Sequence, residues 1–440
     1  IHDTRRGHLA YQYDPVGRLL QATSRLGVET FAFDPAGNLL DQKTQELNRP
    51  LESDPRRNKL MDNLLREYAG THYQYDERGN LIHRLHNGDK ARLTWDLFDR
   101  LVRFDDGKLS VAYSYDALGR RLHKHSTAHH YDDPRAGSGW NQMQRAKRQR
   151  ELGCGYTLYG WDGDNLAWES SPPQDEGETG RTVHYLYEPD SFVPVAQALR
   201  KAPIRLLRQP DWRGREYDID QDPLWQHEVK PQPIDAIAWY QCDHLGTPME
   251  LTDHHAEVAW AGQYKAWGDV REVRSEWAKQ VGMSNPIRFQ GQYHDHETGL
   301  HYNRYRYYDP RVGRFLSQDP ISYMGGINLY SYADNPTEWL DPLGLARISG
   351  PGSRPGKDFT KAGKREVKQE NIDRYGHLTC ESCSVQAFSA VRHERGVRPP
   401  DNEAHVDHVI PKAKGGSGTP ENGQVLCRVC NLEKSDSCEI

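Results

Sequence analysis

Close to its C-terminal end the chain gathers residue types that can do chemistry: HVDHVIPKAKGG runs from His405 to Gly416, and CRVCNLEKS from Cys427 to Ser435. A second C-x-x-C pair, Cys380 and Cys383, lies upstream of both. Two such knuckles in one small segment can supply four thiolates to a tetrahedral structural zinc, at about 2.3 Å each. Disulfides are the weaker reading, because only Cys154 and Cys242 of the seven cysteines fall in the long body of the chain. If the histidine stretch runs as a strand, Asp407 and His408 point to opposite faces, and His405 shares the face of Asp407. One face can then bind a metal while the other addresses a water, which suits an imidazole titrating near neutrality. Two Asp-Pro turns, SQDPIS with Asp319 and WLDPLGL with Asp341, add a second pair of carboxyl groups. By residue type alone these are turn-opening aspartates followed by Pro.

Such groups need a scaffold, and 440 residues allow two or three domains. With 24 Tyr and 11 Trp against 9 Phe and 5 Met, the composition is that of a soluble chain rich in aromatic, turn-punctuated strands. No apolar run approaches the roughly 20 residues that span a bilayer. The start, IHDTRRGHLAYQYD, has neither an initiator Met nor an apolar leader core, as expected of a fragment or of a piece cut from something larger. A net charge of -6 argues against a protein whose whole surface binds nucleic acid. From Ala346 onward, however, Lys and Arg slightly outnumber Asp and Glu, which suggests an electrostatic role for the tail.

The body is repetitive. YQYDPVGRLL, FAFDPAGNLL, YQYDERGNLI, LTWDLFDRLV and YSYDALGRRL place Asp14, Asp34, Asp76, Asp96 and Asp116 in equivalent positions, about 20 residues apart or twice that. In most copies two aromatics alternate as on a strand, Asp-x-x-Gly makes a turn, and a short apolar strand follows, so each copy predicts a β-hairpin. Degenerate copies at LYGWDGDNLAWE and YLYEPDSFVPVAQ predict that the hairpins stack into one large sheet. The repeated tyrosines are then core and ladder residues. The basic QRAKRQRE (Gln144 to Glu151) is expected to be a solvated loop between repeats.

These repeats, followed by YQCDHLGTPMELTD, by PIRFQGQYHDHETGLHYNRYRYYDPRVGRFLSQDPI and by GGINLYSYADNPTEWLDPLGL, resemble the C-terminal half of an Rhs (rearrangement hotspot) core. The resemblance implies part of the wall of a hollow β-cocoon that encloses a C-terminal toxin. It also implies that Asp319 and Asp341 form an aspartyl-protease dyad cutting just after Leu345, with one carboxyl as base on a water and the other as acid on the carbonyl. This chain carries Ser322 where the family's first Asp-Pro-x-Gly motif has Gly, a change that could alter the turn. After Leu345 the composition shifts to ARISGPGSRPGKDFTKAGKRE, which reads as a linker.

The tail, from about residue 372 to 436, resembles the HNH endonuclease signature D-H-x-x-P, G-G, N, C-x-x-C-N-x-x-K. That resemblance implies a ββα-metal fold, with a hairpin carrying the Asp-His pair, a loop holding the middle Asn, and a helix carrying the last ligand. It makes Asp407 and Asn431 ligands of a catalytic Mg²⁺ or Mn²⁺, His408 the general base, and Asn422 the residue that orients His408. His405 is a further ligand or phosphate contact, and Lys412, Lys414 and Lys434 are contacts to flanking DNA phosphates. Cys380, Cys383, Cys427 and Cys430 hold the structural zinc outside the active site.

The sequence therefore predicts a mainly β chain: a YD-repeat β-hairpin shell followed by a small α+β, zinc-containing ββα-metal domain. Expected boundaries are 1–285 for the shell, 286–345 for the end of the core with the cleavage motif, 346–371 for the linker and 372–440 for the nuclease. The resemblance implies a DNA substrate, double-stranded and read with little sequence preference, and a cognate immunity protein. It also implies the rest of the shell, export by a type VI or related secretion system, and action in the target-cell cytoplasm. Two other readings stay open: a four-cysteine zinc module that binds nucleic acid or protein without cutting, and a carbohydrate-binding YD-repeat adhesin. Neither needs Asp407, His408, Asn422 and Asn431 together.

Overall fold

The computed structural model describes residues 2–3, 7–40, 63–173, 179–207, 209–226, 232–333, 335–345, 348–349, 359, 361–389, 399–411, 418 and 420–434. Each Asp-x-x-Gly is a turn that its own aspartate builds. Asp76 Oδ1 accepts the backbone N–H groups of Arg78 (3.0 Å) and Asn80 (2.8 Å). Gly79 closes the turn at φ 81°, a left-handed conformation that glycine takes without strain. The same aspartate-centred bonds recur at Asp14, Asp96, Asp116, Asp243 and Asp253.

Among the described residues, such turns together with other connections join fifteen strands, from Glu67–Tyr68 to Val270–Arg274, into one antiparallel sheet whose order in space is the order in the chain. Alternate residues enter the core, as Leu109, Val111 and Tyr113 do on one strand. The aromatic just before the turn aspartate has a further task. Trp95 Nε1 donates to Leu81 O (2.7 Å), Tyr115 Oη to Leu101 O (2.6 Å) and Trp161 Nε1 to Arg121 O (2.8 Å). Each such ring reaches back to a strand of an earlier hairpin, which ties neighbouring repeats together beyond the ladder itself.

The stretch Tyr293–Phe315 folds into a separate four-stranded sheet whose Tyr293, Tyr302 and Tyr307 enter the core of the large sheet. Buried ions fasten the two. Arg121 Nη1 lies 2.6 Å and Lys124 Nζ 3.1 Å from Asp295, and Lys124 Nζ lies 2.7 Å from Glu297. Burial pushes the Asp295 carboxyl up, but Arg121 and Lys124 outweigh it and hold the group down at about 2.

Two expectations change. QRAKRQRE is part of the helix Ser138–Glu151 rather than a loop. Its Asn141 is buried, accepting from Asp133 N (3.0 Å) and donating to Asp133 O (3.1 Å), which turns the chain into the helix. The residues assigned to a linker include most of the helix Lys361–Tyr375. That helix is almost wholly polar, so apolar periodicity could not announce it. It belongs to the last domain because Val367 packs with Ala387, Ala404 and Val425.

Candidate functional site

Two clusters answer to the sequence-predicted sites. At the first, Asp341 Oδ1 accepts the N–H groups of Gly344 (2.9 Å) and Leu345 (2.8 Å), the turn that the DPLGL stretch requires. Asp319 comes from another loop, where its Oδ1 accepts the N–H of Ile321 at 3.0 Å. A single nitrogen joins them: Arg306 Nη2 lies 2.9 Å from Asp319 Oδ2 and 3.2 Å from Asp341 Oδ2. The same guanidinium donates from Nε to Gly344 O (2.6 Å) and from Nη1 to Leu329 O (3.0 Å), and stacks over Phe315 at 3.7 Å. A β-carbon on Gly325 would collide with both Asp319 Oδ2 and the Leu345 carbonyl oxygen, so those two oxygens flank one small gap.

Burial pushes the Asp341 carboxyl up; Arg306 and the Leu345 N–H pull it back, while Asp319 adds to the rise, and the group titrates at about 7. Asp341 is thus poised to hold a proton near neutral pH. Ser322, standing where a glycine was expected, adopts φ 55° and keeps the turn. Sequence reasoning missed Arg306, which sits in a strand-like run of tyrosines. Its signal was a charged residue in a stretch that had to be buried.

At the second cluster, the strand Glu403–His408 pairs antiparallel with Gly423–Cys427, His408 facing Gly423 and Ala404 facing Cys427. The helix Arg428–Lys434 follows directly. The sulfurs of Cys380, Cys383, Cys427 and Cys430 lie within 4.8 Å of one another. The 3.8 Å between the Cys383 and Cys427 sulfurs matches the edge, about 3.8 Å, of a tetrahedron of thiolates around zinc. Burial pushes the Cys380 thiol up, but backbone N–H groups of Cys383, Cys427 and Ser382 outweigh it and bring the thiol down to about 7. The four residues fit a structural zinc.

Lys434 differs from its expected place on substrate phosphates. Its side chain is only 2% exposed, and Nζ donates to Asp407 Oδ2 at 2.6 Å and to the His408 carbonyl oxygen. The hydrophobic stem is buried in the domain, and the ammonium is neutralised there. Asn431 stands one turn earlier on the same helix, which packs against the strand carrying Asp407. An aspartate and an amide oxygen suit a hard divalent cation. Asn422 clamps the main chain past His408: its Oδ1 accepts from Ile410 N (2.8 Å) and its Nδ2 donates to Ile410 O (3.1 Å). These bonds hold the segment that follows His408 in the strand. His408 is buried, with the ring of Phe359 at 4.2 Å. His405 Nε2 is shielded, makes no hydrogen bond among the described residues and lies 4.0 Å from Glu403 Oε1. Lys412, Lys414, the Gly415–Gly416 loop and Ala346 lie outside the described residues.

Comparison with known proteins follows this division. Residues 1–132 match the teneurin YD-shell family, 237–274 the RHS protein family and 380–437 the HNH endonuclease family. Double-stranded DNA deaminase toxin A of Burkholderia cenocepacia is 35% identical over 78% of this chain and 21% of its own length. Toxin protein Tse5 of Pseudomonas aeruginosa is 34% identical over 78% of this chain and 26% of its own. Probable deoxyribonuclease RhsA of Dickeya dadantii is 28% identical over 64% of this chain and 16% of its own. The chain therefore spans a fifth to a quarter of the length of the first two.

Proposed function

We infer, for a chain that belongs to the Rhs YD-repeat family and ends in an HNH-family domain, that it is part of a polymorphic toxin whose C-terminal domain hydrolyses DNA. The relatives' printed names include a deaminase and a deoxyribonuclease. That variety fits one carrier bearing different toxic domains, with the HNH match naming the chemistry carried here.

The observation that supports the nuclease reading is the bond from Lys434 to Asp407, which ties the helix that carries Asn431 to the strand that carries Asp407 and His408. His408 takes a proton from the water that attacks phosphorus, and Lys434 and Asn422 hold the main chain at its carbonyl and just beyond it. Bound at Asp407 and Asn431, Mg²⁺ or Mn²⁺ would stabilise the charge developing on the scissile phosphate. The four cysteines bind zinc and keep strand and helix together.

Release follows from the other cluster. Asp319 and Asp341 share a proton: one carboxyl takes a proton from the water that adds to the Leu345 carbonyl carbon while the other protonates the carbonyl oxygen, and the proton taken from water then passes to the Ala346 nitrogen as the Leu345–Ala346 bond breaks. Arg306 balances the remaining charge. In this reading the shell encloses the nuclease until a type VI or related secretion system exports it. The freed domain acts in the target-cell cytoplasm, and an immunity protein protects the producer.

The test is supercoiled plasmid incubated with the full chain and Mg²⁺ or Mn²⁺. Nicking and linearisation that EDTA and His408→Ala each abolish support the nuclease. Folded, zinc-loaded protein that binds plasmid but never cuts it makes the tail a binding module instead.

A further inference from the structure

Two carboxyls beside a loop can attack more than one of its peptide bonds, so something must select the bond after Leu345. The turn 303–306 is placed to do so. It joins the strands Leu300–Tyr302 and Tyr307–Asp309 and closes on itself, Asn303 N donating to Arg306 O (2.9 Å) and Arg306 N to Asn303 O (3.1 Å). Its remaining donors meet the main chain of the DPLGL stretch in order. Asn303, fully buried, donates from Nδ2 to Asp341 O (2.9 Å), Tyr305 N donates to Leu343 O (3.0 Å), and Arg306 Nε donates to Gly344 O (2.6 Å). A β-carbon on Gly291 would collide with Pro342 O, so that carbonyl lies against bare main chain.

We propose that the turn 303–306 is the substrate-binding site of the self-cleavage reaction, and that it fixes the cut by main-chain position, four residues beyond Asp341, whatever side chain stands there. The inference rests on the self-cleavage reading and adds its specificity. The turn takes up the carbonyls of Asp341, Leu343 and Gly344. The next carbonyl, that of Leu345, borders Asp319, since a β-carbon on Gly325 would collide with both of their oxygens. Arg306 ties this register to the chemistry, because the guanidinium that holds Gly344 O also pairs with both aspartates. Beyond the cut the grip is again on main chain: Ile348–Ser349 is a strand paired antiparallel with Trp339–Leu340. Leu340 is itself anchored in an apolar cluster with Tyr308, Phe315 and Tyr332. Leu343 and Leu345, by contrast, are only half-buried, whereas a pocket that read a leucine would enclose it. Backbone hydrogen bonds hold an extended peptide without reading its side chains. A core that recognises its substrate in this way can cut ahead of whatever domain follows.

The experiment follows the full chain and two variants by time-resolved intact-mass spectrometry. Leu345→Ala is expected to cut at the same bond at about the parental rate, whereas a pocket reading the leucine would lose roughly tenfold or more for each methylene removed. With one alanine inserted between Gly344 and Leu345, the main-chain count is expected to move the cut to the bond after the inserted residue. The smaller product then begins at Leu345 instead of Ala346. A cut that stays after the leucine overturns the proposal. So does an insertion variant that is not cut, because the turn and residues 341–344 are untouched by the insertion. A loss of about tenfold or more in Leu345→Ala overturns it as well. If the parent stays whole, the self-cleavage reading fails and its specificity with it. A parent that cuts beside variants that depart from the count strikes this inference alone.

Discussion

Asp341 binds the backbone N–H of Leu345 at 2.8 Å, so the residue proposed to cut the chain also holds the residue after which the cut is made. Its carboxyl titrates near 7, well above the ordinary carboxylate range, because it is buried beside Asp319. The pH dependence of cleavage follows. A dyad that needs one shared proton works below about pH 7 and slows as pH rises through the Asp341 titration. The same shift has a stability consequence. The folded chain binds a proton that the unfolded chain has already lost, so this group's contribution is fully present below about pH 4 and is lost as pH rises through 7. Chain made by cell-free synthesis at pH 6, 7 and 8 and followed on gels should cleave fastest at the lowest of the three. A rate that climbs steadily to pH 8 would refute the shared proton.

Lys434 should matter to folding as well as to cutting. Lys434→Met keeps the stem and removes the ammonium, taking from Asp407 Oδ2 its buried cationic partner and leaving the His408 carbonyl to Gln424 Nε2 at 3.3 Å. The expected loss is about 2 kcal/mol in the C-terminal domain, read as a lower urea midpoint for fluorescence or limited proteolysis. A stability equal to the parent would mean that the bond does not form in solution.

Zinc should be present at one ion per chain and inseparable from the fold of the tail. Beyond the thiols, the domain's fully buried apolar residues are few, Val367, Ala387, Ala404 and Val425 among them. Removing the metal with a strong chelator, or changing Cys427→Ser, should expose the region around His408 to protease while leaving the YD-repeat sheet protected. Metal analysis that finds no zinc in freshly purified protein would contradict the four-thiolate site.

Ser322 holds φ 55°, where a β-carbon is strained. Ser322→Gly should stabilise the core by about 1 kcal/mol and leave the Asp319 turn intact, because Ser322 N still donates to Asp319 O at 2.9 Å. A thermal midpoint unchanged or lower would show that the serine is held by something other than this turn.

Much of this architecture was legible because the repeats speak locally. The Asp-x-x-Gly turn writes its own hydrogen bonds, so Asp76 and its equivalents announce hairpins before any tertiary contact is known. The thiolate set was equally open, since C-x-x-C spacing is a local constraint met by Cys380, Cys383, Cys427 and Cys430. What could not be read was tertiary. Arg306 joins two aspartates from separate loops, and nothing near it in the chain points to either. The helix Lys361–Tyr375 buries little beyond Val367 and Asn371, too small a stripe to stand out as periodicity. Lys434 was placed on the wrong side of the site because a lysine's default is solvent, and only the fold supplies a carboxylate that draws it inward.

The central claim is that one chain stores a nuclease and severs it after Leu345. Intact-mass spectrometry of the expressed chain, beside Asp341→Asn, tests it most directly. The account predicts two products from the parent, the smaller beginning at Ala346, and a single species of 50.6 kDa from Asp341→Asn. A parent that stays whole, or a cut at another bond that survives Asp341→Asn, would contradict it.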